Sequence, residues 1–300
     1  MIVKLIPAVK NYLWGGTKLN NEYGKTSDLP ISESWELSFC KDGLSTIDGG
    51  AYDGQKLCDV TTRGDWGENC CEFEFFPVLN KLIDAAKPLS VQVHPDDEYA
   101  LKNEGQYGKT EMWHILSADV GAYIYLGFNT DMTDEGFAQA IADGSVCRYL
   151  NKVEVKQGQT YFIPSGTVHA IGAGVTLFEV QQNSSLTYRV YDYDRTDGGG
   201  NKRELHIEKA KAVCNLNKYT VPNATRDELL GKCKYFSAYR LSGQREVGLK
   251  DSFVSLTVTD GRINVGGITA EKGNTVFLSA GERQSVTGDG SYILTCVEKQ

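Results

Sequence analysis

The fold is decided by residues 153–180, which read VEVKQGQTYFIPSGTVHAIGAGVTLFEV. Three runs rich in β-branched and aromatic residues, at 153–155, 160–163 and 175–180, are separated by glycines and a proline. Runs of this kind with turn residues between them are typical of consecutive β-strands. A similar apolar run at 121–128 extends the pattern. The sequence therefore predicts a strand-rich fold.

The turn residues of this stretch recur with the same spacing near the end of the chain. Residues 158–169 follow the spacing Gly-x5-Pro-x-Gly-x2-His, and residues 273–284 follow Gly-x5-Ser-x-Gly-x2-Gln. Such a repeat predicts two β units of the same design, which we place at residues 1–217 and 218–300. Because Gln284 stands where the first copy has a histidine, the second unit is predicted to be structural.

Helices are predicted to be few and short. Residues 133–141 combine an acidic first turn with good helix formers, a pattern that favours a helix. Residues 205–213 and 75–86 are two further helix candidates. The sequence as a whole therefore predicts a mainly β fold.

Composition and charge limit the binding partners and the cellular compartment that we expect for this protein. The net charge of −8 argues against nucleic acid, because phosphate backbones require a basic face. No run approaches the roughly 18 apolar residues of a membrane span, and the N-terminus lacks the apolar core of a signal peptide. The eight cysteines show no paired spacing, which favours reduced thiols. We therefore expect a cytoplasmic protein without a membrane partner.

Two histidines and a carboxylate stand in contexts that suit a metal site. Gln92 and His94 alternate in an apolar run, so on a strand both side chains share one face. Glu111 follows a polar stretch at 96–108, and His169 follows a Pro-Ser-Gly turn. Taken singly, a strand histidine is more often a hydrogen-bonded core residue than a ligand. The coincidence of three segments favours a catalytic zinc or non-haem iron site, since both use two histidines and one carboxylate.

The remaining histidines, His114 and His206, have no such companions and are predicted to be structural or surface residues. Arg189 lies in the polar run 188–195, which by itself fits a strand face with ordinary ion pairs as well as it fits a functional site.

These segments also resemble a known family. The spacing at 158–169 is similar to the second motif of the cupin β-barrels, and Gln92-x-His94 is similar to their first, with Gln replacing one His. More specifically, the chain resembles type I mannose-6-phosphate isomerases of the short bacterial form from about Trp14 to Ala210. The segments that carry this resemblance are WGG at 14–16, ESWELS at 33–38, SVQVHPD at 90–96, KTEMW at 109–113 and YRVYDYDR at 188–195.

The resemblance implies two cupin-like β-barrels of the jelly-roll type, the second of them degenerate. It implies one zinc ion per chain, and an isomerase that interconverts mannose 6-phosphate and fructose 6-phosphate through an enediol, acting as a monomer or homodimer. The residues it implies are Gln92, His94, Glu111 and His169 for the metal, Arg189 for catalysis, and Lys109 and Glu179 for the substrate.

Several points stay open at this stage. Gln92 either binds the metal directly or supports another ligand. The proton-transferring base is Glu179, a zinc-bound hydroxide or His94 released from the metal. Larger family members carry Tyr two residues after the metal-binding histidine, where this chain has Ile171, so a tyrosine-assisted step is in doubt.

Two other functions compete with the isomerase. An iron(II) dioxygenase on the same barrel would use the same two histidines and carboxylate. It is disfavoured by Gln92 and by the cationic Lys109 and Arg189, which suit a sugar phosphate. The second alternative is a sugar-binding cupin without catalytic activity.

Overall fold

The computed structural model describes residues 1–196 and 200–299. In this part of the chain there are six α-helices: α1 (Lys18–Tyr23), α2 (Leu57–Val60), α3 (Arg63–Trp66), α4 (Asp97–Glu104), α5 (Asp134–Ala142) and α6 (Ile207–Val213). Short 3-10 turns lie at Gly50–Tyr52, Glu68–Cys70 and Val146–Tyr149. Within the same residues, no helix has the length and apolar character needed to cross a membrane.

Strands account for most of the regular structure. Those of the first two thirds of the chain are β1 (Ile2–Ile6), β2 (Ala8–Lys10), β3 (Glu33–Leu37), β4 (Thr46–Asp48), β5 (Val78–Ala85), β6 (Val91–Val93), β7 (Glu111–Ala118), β8 (Tyr123–Phe128), β9 (Leu150–Glu154), β10 (Thr160–Ile163), β11 (His169–Ile171), β12 (Val175–Gln182) and β13 (Tyr188–Tyr191). Those of the last third are β14 (Leu229–Lys232), β15 (Ser237–Ser242), β16 (Arg245–Val247), β17 (Val254–Asp260), β18 (Arg262–Val265), β19 (Ile268–Glu271), β20 (Thr275–Leu278), β21 (Gln284–Gly288) and β22 (Ser291–Cys296).

These strands form four antiparallel sheets in two facing pairs. A six-stranded sheet (β10-β7-β12-β5-β3-β2) faces a five-stranded sheet (β13-β6-β11-β8-β9). A seven-stranded sheet (β14-β15-β22-β17-β20-β1-β4) faces a four-stranded sheet (β16-β21-β18-β19). Each pair is a jelly-roll sandwich of two separate sheets. The predicted mainly β, cupin-like fold with few helices is confirmed.

Apolar clusters show the order of the layers. Residues such as Ile83 and Ile124 fill the space between the six- and five-stranded sheets. Leu82, on the opposite face of β5 from Ile83, packs with Phe277 between the six- and seven-stranded sheets, so the two sandwiches lie back to back. Helices α5 and α6 cover the outer face of the five-stranded sheet. The five-stranded sheet therefore lies between a helical layer and the interior of the first sandwich.

The predicted repeat is present in the strand pairing. The eight strands β15–β22 pair with one another as β5–β12 do. The turns match as well: Gly166 has φ +80° and Gly281 has φ +82°, a backbone conformation that favours glycine. The N-terminal strands β1 and β4 extend the seven-stranded sheet, β1 by pairing with β20. The division of the chain into domains at residue 217 stays a prediction.

The repeat also shows how the interior of the second unit differs. His169 pairs with Gln92 across β11 and β6, and Gln284 pairs with Val247 across β21 and β16. Ile163 pairs with Glu111 across β10 and β7, and its counterpart Leu278 pairs with Val254. Valines therefore occupy, in the second unit, the positions that correspond to Gln92 and Glu111.

Two of the predicted helices are confirmed and one is wrong. The segments 133–141 and 205–213 match α5 and α6 to within two residues at each end. The segment 75–86 contains strand β5 instead, and every residue of that strand is buried. A central strand covered on both faces has no visible alternation, so its apolar run cannot be told from a helix by pattern alone. Helix α4 was not predicted, although Asp96 caps it by accepting a hydrogen bond from the Tyr99 N–H.

Candidate metal centre and cavity

Three of the predicted metal ligands converge between the facing sheets of the first sandwich. Glu111 begins β7 in the six-stranded sheet, His169 begins β11 in the five-stranded sheet, and His94 directly follows β6. One ligand atom of each lies within 4.8 Å of the others. The Nε2 atom of His169 is 3.1 Å from Glu111 Oε1, and that of His94 is 3.7 Å from Glu111 Oε2. All three side chains are buried.

Local structure explains why these side chains meet. The strand alternation of β6 buries Val91 and Val93 beneath α6, which leaves Gln92 on the inner face. The turn before β11 is tied to the end of β6, because the N–H of Gly166 donates to the carbonyl oxygen of His94 over 2.8 Å. His94 and His169 are therefore placed by one connected piece of backbone.

The imidazoles are held in a form that suits metal binding. The Nδ1 atom of His169 donates to the carbonyl oxygen of Thr167 over 2.8 Å, which leaves a lone pair on Nε2. Burial lowers the pKa of His169 to about 4, and burial together with Lys109 lowers the pKa of His94 well below its usual value. Both rings are neutral at pH 7, as ligands must be.

The buried Glu111 carboxylate has Lys109 as an ion-pair partner, with Nζ 3.4 Å from Oε2, but little else to satisfy its oxygens. Burial, with Glu179 adding to the effect, raises the pKa of Glu111 to about 8, while Lys109 opposes the shift. In the part of the chain that is described, neither Glu111 oxygen accepts a well-formed hydrogen bond, and both ring nitrogens of His94 are also unsatisfied. Unpartnered buried acceptors are rare and costly. A divalent cation between the three residues would satisfy them, so the donor set fits such an ion.

Gln92 lies beside this group. Its amide nitrogen is 3.4 Å from His169 Nε2, and rotation of the amide about its last bond places the oxygen there instead. Gln92 is also the cross-strand neighbour of both His169 and Arg189. The side chains of such neighbours point to the same face, so Gln92 lies between the metal group and the arginine.

A cavity of about 360 Å³ opens next to the metal group. All three predicted substrate and catalytic residues, Lys109, Glu179 and Arg189, line this cavity. Lys109 is the one that also contacts the metal group, with its Nζ 3.4 Å from Glu111 Oε2. One wall is apolar and consists of Trp14, Ile83, Leu89 and Ile171.

Sequence reasoning missed a charged network in the floor of the cavity. Lys81 Nζ lies 3.1 Å from Glu179 Oε1 and 3.4 Å from Glu33 Oε2. The indole N–H groups of Trp113 and Trp35 donate to Glu179 and Glu33 over 2.8 and 2.6 Å. The available signal was the presence of charged residues in the strands themselves, since Lys81 lies in the middle of β5 and Glu33 begins β3.

This network keeps Glu179 ionised. Burial alone would raise the pKa of Glu179, but the nearby charges of Lys81 and Lys109 lower it below its ordinary value. The carboxylates of Glu179 and Glu33, with Glu179 contributing most, hold the pKa of Lys81 above its ordinary value despite burial. Glu179 is therefore a fixed, negatively charged acceptor at the cavity surface.

Arg189 is held by its backbone and by its side chain. Its N–H donates to His206 Nδ1 over 3.0 Å, and its Nη1 donates to the carbonyl oxygen of Glu204 over 2.9 Å. The predictions of structural roles for His206 and His114 fit these contacts. His114 is buried, with Nδ1 2.8 Å from Thr160 Oγ1, and it lies outside the cavity lining.

Comparisons with known proteins show the family and agree with the fold. A family model described as the catalytic domain of phosphomannose isomerase type I matches residues 2–113. The mannose-6-phosphate isomerase of Streptococcus mutans is 38% identical over 270 residues, which cover 85% of this chain and 84% of the relative. Mannose-6-phosphate isomerase ManA of Bacillus subtilis is 38% identical over 267 residues, covering 85% and 84%.

Solved structures show the same similarity. The crystal structure of the Bacillus subtilis mannose 6-phosphate isomerase matches with a TM-score of 0.88 and 32% identity, covering 98% of this chain and 99% of that one. A zinc-bound mannose 6-phosphate isomerase structure matches with a TM-score of 0.80 and 17% identity, covering 99% and 100%. At that identity the second match is evidence of the fold alone.

Proposed function

The chain belongs to the type I phosphomannose isomerase family, and from that membership we propose that it interconverts mannose 6-phosphate and fructose 6-phosphate in a metal-dependent reaction. The observation that carries the proposal is the convergence of His94, Glu111 and His169 beside a cavity lined by Lys109 and Arg189. A cavity with a metal group and cationic side chains suits a small sugar phosphate.

We assign one zinc ion per chain to His94, Glu111 and His169, with Gln92 as a fourth or supporting ligand. Two imidazoles and a carboxylate are a ligand set of catalytic zinc, and they leave a coordination position for substrate. When bound, zinc supplies Lewis-acid stabilisation of negative charge on substrate oxygens. The network of Lys81, Glu33 and Glu179 gives the floor of the cavity a fixed geometry next to that ion.

The remaining residues bind and orient the sugar. Aldose–ketose isomerisation moves a proton between two neighbouring carbons and develops negative charge on the adjoining oxygens. Arg189 stays protonated at neutral pH, so it stabilises that charge or holds the substrate rather than accepting the proton. Glu179 is ionised and anchored by Trp113 and Lys81, which suits it to accept a hydrogen bond from a sugar hydroxyl. Lys109, which faces the same cavity, adds a further donor.

The alternative functions are not favoured. A dioxygenase has no need of the four cationic side chains that line the cavity, which are Lys81, Lys109, Arg189 and Arg203. A purely sugar-binding module has no need of a buried metal group, and within this protein the second unit carries valines at two of the corresponding positions.

We also propose that the enzyme works in the cytoplasm as a monomer or homodimer, with no nucleic acid or membrane partner. All eight cysteines are free thiols, which suits a reducing compartment. The formal net charge of −8 opposes binding to nucleic acid.

The test is a coupled assay of mannose 6-phosphate conversion on protein stripped with a chelator, before and after zinc is restored. We expect activity to disappear and return. Arg189→Ala in the zinc-loaded enzyme should lower kcat/KM by roughly 100-fold, the usual effect of losing one preorganised electrostatic contact. Arg262→Ala is the matched control, because Arg262 is an exposed arginine of the second unit paired with Glu271.

Two results would contradict these expectations. Folded, zinc-loaded protein without isomerase activity would contradict the proposed function. A kcat/KM of Arg189→Ala within a few-fold of the parent would remove Arg189 from both substrate binding and catalysis.

A further inference from the structure

A hairpin after strand β13 brings two arginines to one buried carboxylate. Thr196 and Lys202 pair as an antiparallel bridge, so the chain turns back on itself and Arg203 returns to the level of Arg195. Both arginines bind Asp192, which is only 5% exposed. We call Asp192, Arg195 and Arg203 the arginine clasp.

The clasp holds Arg203 in a fixed orientation. Arg203 donates from Nε to Asp192 Oδ2 over 2.7 Å and from Nη2 to Asp192 Oδ1 over 2.5 Å, a bidentate contact. Arg195 donates from Nη2 to the same carboxylate and from Nη1 to the carbonyl oxygen of Pro88 over 2.6 Å. The clasp is therefore fastened to the segment that leads into β6.

The two arginines of the clasp face different ways. Arg195 faces Pro88, whereas Arg203 lines the same cavity as Arg189. Arg189 is itself bonded to the carbonyl oxygen of Glu204, the residue after Arg203. One short segment thus sets the positions of both cavity-lining guanidinium groups.

These two guanidinium groups have unused donors. The Nε of Arg189 is buried without a hydrogen-bonding partner, and Arg203 Nη1 makes no hydrogen bond within residues 1–196 and 200–299. Burial lowers the pKa of Arg189, and the neighbouring charge of Arg203 lowers it further. Two like charges held together with free donors are unfavourable unless an anion lies between them.

The other cations of the cavity are already compensated. Lys81 pairs with Glu179 and Glu33, and Lys109 pairs with Glu111. Around the clasp, in contrast, Arg195 and Arg203 share the single carboxylate of Asp192. Arg189 feels the charges of Asp192 and Glu204 but, within the described residues, forms an ion pair with neither. One further acidic residue, Asp42, lines the cavity. The local excess of positive charge therefore lies at Arg189 and Arg203, and a phosphate with its several acceptor oxygens fits the planar donors of arginine.

We propose that Arg203, together with Arg189, binds the phosphate of the hexose phosphate, and that Asp192 is a positioning residue that holds Arg203 at the cavity. Arg203 is then the residue through which the enzyme distinguishes a phosphorylated sugar from the free sugar. This inference rests on the proposed function, because it takes a hexose 6-phosphate as the ligand.

The test compares binding of mannose 6-phosphate and of mannose to the zinc-loaded protein by calorimetry, together with KM and kcat. Arg203→Ala should weaken binding of mannose 6-phosphate by roughly 10- to 100-fold, the loss of one charge-assisted contact, and leave binding of mannose unchanged. KM should rise while kcat changes little, because the phosphate contact is made equally in the ground and transition states. Arg203→Lys, which keeps the charge but loses the planar fork, should give an intermediate loss.

Two further variants separate positioning from general charge effects. Asp192→Asn keeps the size of the side chain and should raise the KM for mannose 6-phosphate without affecting binding of mannose. Lys202→Ala removes an exposed cation, paired with Asp194, from the same hairpin and should leave both ligands unaffected. Unchanged binding in Arg203→Ala, or an equal loss in Lys202→Ala, would overturn the proposal.

The same measurements distinguish this proposal from the proposed function. A parent protein that binds mannose 6-phosphate through Arg203 but does not isomerise it supports the phosphate site and contradicts the isomerase. If the parent isomerises mannose 6-phosphate and both Arg203→Lys and Arg203→Ala bind and convert it as the parent does, the isomerase is supported and the phosphate site is overturned. Absence of any mannose 6-phosphate binding to the parent would overturn both.

Discussion

The Nε2 atom of His169 lies 3.1 Å from the Oε1 atom of Glu111, across the space between two facing sheets. Because His169 donates its Nδ1 proton to Thr167, both of the atoms that face each other carry lone pairs. Such a contact is repulsive unless a cation or a proton lies between the two atoms. Burial, with Glu179 adding to the effect, raises the pKa of Glu111, and a divalent metal bound between these atoms would reverse that shift.

The metal group predicts a graded effect of substitution on zinc content. His169→Ala removes a proposed direct ligand and should abolish stoichiometric zinc binding. Gln92→Ala should lower zinc affinity by roughly 10- to 100-fold while one zinc per chain is still reached at saturation, as expected for a supporting residue. Metal analysis after dialysis against defined free zinc measures both effects.

His114→Gln is the matched control for these two variants, because His114 is a buried histidine outside the cavity. It should retain one zinc per chain. If zinc content fell as far in His114→Gln as in His169→Ala, the assignment of the metal to His94, Glu111 and His169 would be wrong.

Lys81→Met should be strongly destabilising. The substitution leaves the carboxylates of Glu179 and Glu33 buried beside each other without their shared cation. Loss of one partner of a buried ion pair typically costs about 3–5 kcal/mol in the free energy of unfolding. Denaturant unfolding at pH 7 measures this cost. Lys202→Met, at an exposed ion pair, should change stability little, and an equal loss in both variants would contradict the argument.

His114 predicts a specific dependence of stability on pH. Burial, with Arg240 adding to it, lowers the pKa of His114 to about 4 in the folded protein. Below the ordinary pKa of histidine, about 6.5, the unfolded chain binds a proton that the folded chain does not, so stability falls with falling pH. At pH 5 this group should cost about 2 kcal/mol relative to pH 7.

The check compares urea unfolding of metal-free parent and His114→Gln at both pH values. The parent should lose more stability between pH 7 and pH 5 than the variant, by about that amount. Identical losses in the two proteins would show that His114 is not held neutral by the fold.

The two repeated turns predict unequal costs for the same substitution. Gly166 and Gly281 have nearly the same positive φ, so replacement by Ala strains both backbones by about 1–2 kcal/mol. At Gly166 the new Cβ would also lie 3.0 Å from the carbonyl oxygen of Val213, whereas at Gly281 it meets nothing within 4 Å. Gly166→Ala should therefore be the more destabilising variant in thermal unfolding, and it should also weaken zinc binding because this turn precedes His169. Equal Tm values would contradict the difference in packing.

Much of the metal site could be predicted from the sequence because its determinants are local. The alternation of Gln92 with its flanking valines and the turn before His169 act within a few residues. The same is true of the spacing that revealed the repeat. The network around Lys81 could not be predicted in this way, since Lys81, Glu179 and Glu33 lie on three different strands. Cross-strand neighbours depend on register, which is set by the packing of whole sheets.

The sequence by itself determined the mainly β class, the duplicated unit and the set of candidate metal ligands, because strand alternation and turn conformation follow from neighbouring residues. Only the tertiary structure decided that 78–85 is a strand, because its burial on both faces comes from other sheets. It also decided which charges compensate one another. Arg203 faces the cavity because a hairpin returns it to Asp192, and a contact of that kind depends on the path of the chain in space rather than on local pattern.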